Sequence, residues 1–249
     1  MSKHASYGLG VMAGSLLLSV GASAATLARQ SGAFDIVSNV PAEVFIESVD
    51  DWNEFSAAVA DGVATEGMLV RLANDVGPVS TTVGTAGHPF SGVFDGGSNT
   101  LTVALSGSDS FVAPFSAIAG ATISNLVVAG SVSGGQYCSG LVGAVVGGTN
   151  AIEDCEVAAT VDKAEANYGG GIVGNGGTNA TTLRGCVFSG SIVGYWFTTG
   201  TLWGWSDDGT AAMLIDCLDT CASTHPVGRG EGSVCVSNTY YFASTKYAS

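Results

Sequence analysis

The amino-acid sequence predicts an all-β protein built as a stacked-repeat solenoid, and three observations carry that prediction. The first is a recurring segment. Ile123-Ser-Asn-Leu126-Val-Val-Ala-Gly-Ser-Val132 is matched by Ile152-Glu-Asp-Cys155-Glu-Val-Ala-Ala-Thr-Val161 and by Leu183-Arg-Gly-Cys186-Val-Phe-Ser-Gly-Ser-Ile192, and Leu214-Ile-Asp-Cys217 opens a fourth copy. The fourth residues of these copies are 29, 31 and 31 residues apart. A fixed period of that size marks an architecture in which each unit buries its apolar face against its neighbours. The second observation is a landmark that keeps step with the first. Gly140-Leu-Val-Gly143, Gly171-Ile-Val-Gly174 and Thr201-Leu-Trp-Gly204 recur at 31 and 30 residues. The third is what lies between: Gly, Asn, Thr and Ser, as in Gly147-Gly-Thr-Asn150 and Gly176-Gly-Thr-Asn179, which allow the tight corners that join short strands.

Each unit therefore reads as short strands and corners, with no run periodic enough for a helix. Stacked coil on coil, equivalent residues lie about 4.8 Å apart, so Leu126, Cys155, Cys186 and Cys217 form a ladder on one wall. Asn125, Asp154, Gly185 and Asp216 share the position before it, a corner that takes special backbone angles.

The Gly-Leu-x-Gly landmark, followed by Ile-x-Asn/Asp-Cys/Leu and a small-residue strand, resembles the GLUG repeat of bacterial surface and secreted proteins. The resemblance implies a single right-handed parallel β-helix. It extends to Phe90-Ser-Gly-Val-Phe-Asp-Gly-Gly-Ser-Asn-Thr-Leu101 as a first coil and to Asn238-Thr-Tyr-Tyr241 as a closing segment. Two departures stand out: Ala113-Pro-Phe-Ser116 holds the first landmark position without glycine, and Thr201 replaces a glycine in the last. The resemblance implies an architecture and supplies no catalytic residues.

In chain order, residues 1–24 carry a basic start (Lys3), an apolar run from Tyr7 to Val20 and Ala22-Ser-Ala24. That is the layout of a cleaved secretory signal, and the run is shorter than the ~20 residues a spanning helix needs. Residues 25–44 read as a flexible arm. Residues 45–62 hold the one convincing helix: Ser48 caps it, Asp50 and Asp51 favour the positive end of its dipole, and Trp52, Phe55 and Val59 share a face before Gly62. This helix is expected to cover the open end of the stack. The solenoid is assigned to residues 63–242, with Tyr240, Tyr241 and Phe242 closing the other end, and residues 243–249 form a tail.

Composition narrows the partners. The chain of 249 residues has a formal net charge of −14, from 21 acidic and 7 basic residues. Nucleic acid and anionic lipid demand a basic patch, and the Lys and Arg residues are scattered. After signal cleavage no membrane insertion is expected. Three histidines are present, and no local motif sets His88 or His225 beside a nucleophile. The six cysteines show no Cys-x-x-Cys spacing. Cys155 and Cys186 read as buried thiols. Cys221 and Cys235 flank a Gly-rich loop that a disulfide between them would staple.

The leading functional segment is aromatic. Tyr195, Trp196, Phe197, Trp203 and Trp205 replace the small residues of other copies, and Tyr195, Trp196, Trp203 and Trp205 are the candidate ligand-binding residues, able to stack on sugar rings. The competing reading puts Trp203 and Phe197 in the core. Asp207 and Asp208 follow as a weak candidate calcium site or as a plain turn; no other cofactor is indicated. The expected function is that of a secreted, adhesin-like or cell-surface β-helix that binds glycans or host surfaces without catalysis. The alternative is a small polysaccharide-cleaving lyase or hydrolase on the same fold.

Overall fold

The computed structural model describes residues 27–30, 33–36, 43–162, 168–193, 199–209, 211–221 and 226–241. The expected signal segment and the 243–249 tail lie outside them. The described residues form a parallel β-solenoid with three walls and one helix.

The first wall is an eight-stranded sheet running from Glu43–Ile46 through Leu69–Leu72, Val93–Asp95, Thr122–Ser124, Thr149–Glu153, Ala180–Arg184 and Ala211–Ile215 to Ser233–Ser237. The second wall carries Val76–Val79, Thr100–Ser106 and Val127–Ser133. It continues through shorter strands to Leu218–Asp219 and Tyr240–Tyr241. The third is built from Phe115–Ala119, Val142–Gly147, Val173–Asn175 and Trp203–Trp205. Registers follow the sequence repeat: Ile152 pairs with Ile123 and Leu183, and Leu183 with Leu214. All four are fully buried. Burial on one face of each short strand is what fixes this register, because a slip of one residue would turn the whole apolar set to solvent.

Corners obey the expected chemistry. Asn125, Asp154, Asp216 and Asn238 sit at φ of 47 to 54°, with Gly185 at 63°, in the left-handed region that Asn, Asp and Gly tolerate. Their side chains pair along the axis: Asn125 Nδ2 donates to Asp95 Oδ1 at 3.1 Å, and Asn238 Nδ2 to Asp216 Oδ1 at 2.6 Å. Between these two Asp-Asn pairs stands Asp154 with Gly185. A Cβ at Gly185 would meet Asp154 Oδ1 at 2.3 Å, the movable end of a side chain. Gly185→Asn is therefore expected to supply a third such pair and to stabilise by about 0.5–1 kcal/mol. Urea unfolding checks it, and a destabilised variant would refute it.

The thiol ladder is present. Leu126, Cys155, Cys186 and Cys217 are all buried, stacked at the corner between the first and second walls and not on one wall as expected. Cys155, Cys186 and Cys217 direct their thiols to the carbonyls of Ile123, Ile152 and Leu183 at 3.6, 3.2 and 3.6 Å. Hydrogen bonding between neighbouring thiols, together with burial, pushes the Cys186 and Cys217 thiols above the ordinary range, so they stay protonated and inert. Cys138 and Cys221 are buried as well, and Cys235 alone is exposed. A thiol-specific aromatic disulfide reagent is expected to modify Cys235 rapidly in the folded chain and the other five only after unfolding. Cys235→Ser should abolish the rapid phase.

The helix α1 (Val49–Ala60) begins as the sequence requires. Ser48 Oγ accepts from the Asp51 amide at 3.2 Å, and Asp51 Oδ2 accepts from the Glu47 amide at 3.0 Å. Trp52, Phe55 and Val59 are buried, and Gly62 ends the helix at φ 93°. His88 Nδ1 donates to the Ala60 carbonyl at 2.7 Å and so ties the helix end to the solenoid. Trp52 stands edge-on to Phe94 and Phe115, with centroids 6.1 and 5.9 Å away.

Three boundaries differ from expectation. The solenoid starts at Glu43, not residue 63, because Val44 and Ile46 alternate inward and pair with Val70 and Leu72; α1 is an insertion between the first two rungs. The arm assigned to 25–44 contains an antiparallel pair, Leu27–Gln30 with Ala33–Ile36. At the far end Tyr240 and Tyr241 continue the second wall but are 65% and 41% exposed. They do not close the stack; Phe242 lies outside the described residues.

Candidate functional site

The landmark glycines explain where side chains can gather. A Cβ on Gly140 would meet Val157 Cγ1 at 2.4 Å, and one on Gly171 would meet Phe188 Cδ2 at 2.6 Å. The first landmark glycine therefore makes room for an inward side chain of the second wall. In the last copy that partner is Asp219, which is in register with Phe188. Here Thr201 stands in place of glycine, and its hydroxyl donates to Asp219 Oδ2 at 2.5 Å; Asp219 Oδ1 also accepts the Cys221 amide at 2.8 Å. A buried carboxylate needs such partners, so the departure at Thr201 and the acid at 219 compensate each other.

The second landmark glycine looks outward. Cβ atoms on Gly143 and Gly174 would lie 2.3 and 2.2 Å from the carbonyl oxygens of Phe111 and Tyr137. These carbonyls belong to corners where Phe111, Tyr137 and Tyr168 adopt φ of 66, 61 and 64°. Bulky residues rarely take this conformation, which costs about 1–3 kcal/mol each. Glycine would avoid that strain, yet three corners in succession hold an aromatic ring.

The rings form a ridge along the axis. Phe111 stacks on Tyr137 with centroids 5.2 Å apart and planes 6° from parallel, and Tyr137 stacks on Tyr168 at 5.3 Å and 15°. Stacking contributes about 0.5–1.5 kcal/mol per pair and offsets part of the backbone strain. Among the described residues Trp205 is the last ring of the ridge, 4.6 Å from Tyr168 and turned 60° to it. Its Nε1 donates to Asp207 Oδ1 at 3.0 Å. Burial, then the charge of Asp207 and the neighbouring Tyr168, hold the Tyr137 hydroxyl above the usual phenol range. It therefore remains a hydrogen-bond donor throughout neutral pH. All four rings are half-buried.

This site overlaps only partly with the one expected from sequence. Trp205 is on the ridge. Tyr195 and Trp196, with Phe197, lie outside the described residues. Trp203 is corrected to a core residue: it is 0% exposed, and its Nε1 donates to Ser206 Oγ at 2.5 Å. Its column on the third wall runs Phe115, Val142, Val173, Trp203, all inward. Gly176 admits the large ring, since a Cβ there would lie 1.9 Å from it. Asp207 turns to the Trp205 indole and Asp208 is exposed. No cluster of three metal-ligating side chains occurs among the described residues. The expected Cys221–Cys235 disulfide is corrected too, as both are free thiols. Cys221 packs in the core, while Cys235 is in register with the exposed Met213 on the outside of the first wall.

Phe111, Tyr137 and Tyr168 were not among the expected residues. A signal for two of them exists: Tyr137-Cys-Ser-Gly140 and Tyr168-Gly-Gly-Gly171 each set a tyrosine three places before the landmark. Phe111 precedes the copy that lacks both glycines, which hides its equivalence. No protein-family model, curated protein or solved structure matches the chain.

Proposed function

We propose that this chain is an exported, non-catalytic, GLUG-like β-helix that adheres to glycans of a cell or host surface through the ridge of Phe111, Tyr137, Tyr168 and Trp205. The observation that carries the reading is the retention of aromatic rings at three strained corners in succession. The ridge joins the Trp205 indole to phenolic hydroxyls and a carboxylate, which is the combination a sugar needs: one ring for its C–H face to stack on, and polar groups to exchange hydrogen bonds. The acidic net charge argues against polyanions, and the apolar run before Ala25 supports export. A paired-carboxylate mechanism would need two acids facing one bond; at the ridge Asp207 is committed to the Trp205 indole.

Retention of the mature chain on a panel of immobilised polysaccharides tests the reading, with soluble product measured in parallel. Trp205→Ala is expected to weaken binding by about tenfold or more, while the melting temperature falls by no more than about 5 °C, the share of one half-buried aromatic contact. Trp203→Ala should instead unfold the chain at markedly lower temperature. Binding that survives Trp205→Ala refutes the ridge, and released sugar would favour the polysaccharide-cleaving alternative.

A further inference from the structure

We infer that the ligand of the ridge is a linear, uncharged glycan lying along the solenoid axis, with about one sugar residue per coil. This rests on the glycan-binding reading and specifies its ligand.

The first argument is one of matching repeats. Phe111, Tyr137 and Tyr168 come from successive coils at ring-to-ring steps of 5.2 and 5.3 Å, and Trp205, from the strand in register with Asn175, meets Tyr168 from the next coil at 4.6 Å. These steps follow the strand spacing of about 4.8 Å, which is close to the length of one pyranose residue in an extended chain. A glycan running along the axis therefore meets an equivalent corner ring at three successive residues and Trp205 at the next. A glycan running across it meets one group only.

The second argument concerns what the rings offer. In a parallel stack the faces of Phe111, Tyr137 and Tyr168 are turned to one another, so the ridge presents ring edges and the phenolic hydroxyls of the two tyrosines. A hydroxyl both donates and accepts, and a row of them at coil spacing suits a polyol better than a purely apolar ligand. Trp205, turned 60° from Tyr168, breaks the stack. Its indole has no parallel neighbour among the described residues, and the bond from Nε1 to Asp207 fixes its orientation.

Charge decides between neutral and acidic sugars. Asp207 and the exposed Asp208 stand at the Trp205 end of the ridge, none of the ridge residues is basic, and the whole chain carries −14. A carboxylated glycan would bring like charges together without a cation to pair them, a repulsive device that excludes it.

Calorimetric titration of the mature chain with β-1,4-linked glucose, xylose and mannose oligosaccharides tests the inference, with each series running from disaccharide to hexasaccharide and oligogalacturonates of equal length as the charged counterpart. Affinity in at least one neutral series is expected to rise with each residue and to level off at about four, one for each ridge ring among the described residues. Oligogalacturonates should bind about tenfold more weakly or worse. Tyr137→Phe, which keeps the ring and removes its hydroxyl, should weaken the tetrasaccharide more than the disaccharide. Binding independent of length, or equal binding of the galacturonates, overturns this inference and leaves glycan binding at Trp205 standing. Failure of every sugar to bind overturns both.

Discussion

Trp52→Ala is expected to lower the unfolding free energy by about 3–5 kcal/mol, the range for deleting a fully buried aromatic side chain. Trp52 is the anchor of α1 in the solenoid: it is completely buried, stands edge-on to Phe94 and Phe115, and donates its Nε1–H to the Thr81 carbonyl at 3.0 Å. Its removal leaves a cavity beside two phenylalanines and one carbonyl without that donor. Because α1 packs on Val76–Val79, the edge strand of the second wall, its loosening also uncovers that edge, a template for pairing with another chain. Urea unfolding followed by circular dichroism measures the loss, and a melting curve at several protein concentrations reports any aggregation. A loss below about 1 kcal/mol would mean that the helix does not cover the core.

Gly171→Ala carries the second large effect, and it comes from one added methyl group. The Cβ would lie 2.1 Å from the Thr201 carbonyl oxygen of the next coil and 2.6 Å from the Phe188 ring. A side chain can rotate away, but the carbonyl belongs to the stacked wall and moves only if the coils separate. Gly171 N itself donates across the same gap, to the Gly200 carbonyl at 3.2 Å. Overpacking costs about 1–3 kcal/mol and more where backbone must shift, so the expected loss is about 3 kcal/mol or greater. The double variant Gly171→Ala with Phe188→Ala separates the two contacts: relief of the ring alone is expected to recover none of the stability, because a second cavity is added. Recovery in the double variant would show that the ring, not the neighbouring coil, forbids the methyl.

The ridge was harder to foresee than the coils. Coil identity is carried by residues that repeat, and Ile123, Ile152, Leu183 and Leu214 had to be buried on one face whatever else the chain did. The corner residues Asn125, Asp154 and Asp216 were likewise legible, since few side chains accept a left-handed backbone. Tyr137 and Tyr168 take the same conformation against their own preference, so no local rule pointed to them. Trp203 and Trp205 sit two residues apart on one strand, where alternation puts both on the same face, yet Trp203 is fully buried and Trp205, at the strand's end, only half-buried. The sequence leaves Trp203 either on the surface or in the core, and the column of Phe115, Val142 and Val173 beside it decides for the core.

Short-range chemistry in the chain was enough to establish the solenoid, its period, the capped helix and the thiol ladder, because strand alternation, corner angles and helix caps act over a few residues and repeat. What tertiary packing alone decided was which rings meet. Phe111, Tyr137 and Tyr168 are brought into one ridge by parallel in-register stacking of coils, and Trp205, in register with Asn175, joins it from the next coil. Asp219 is likewise matched to Thr201 across the core. Those contacts join residues many positions apart, and their distances are set by the rise of a coil, not by any preference of the residues themselves.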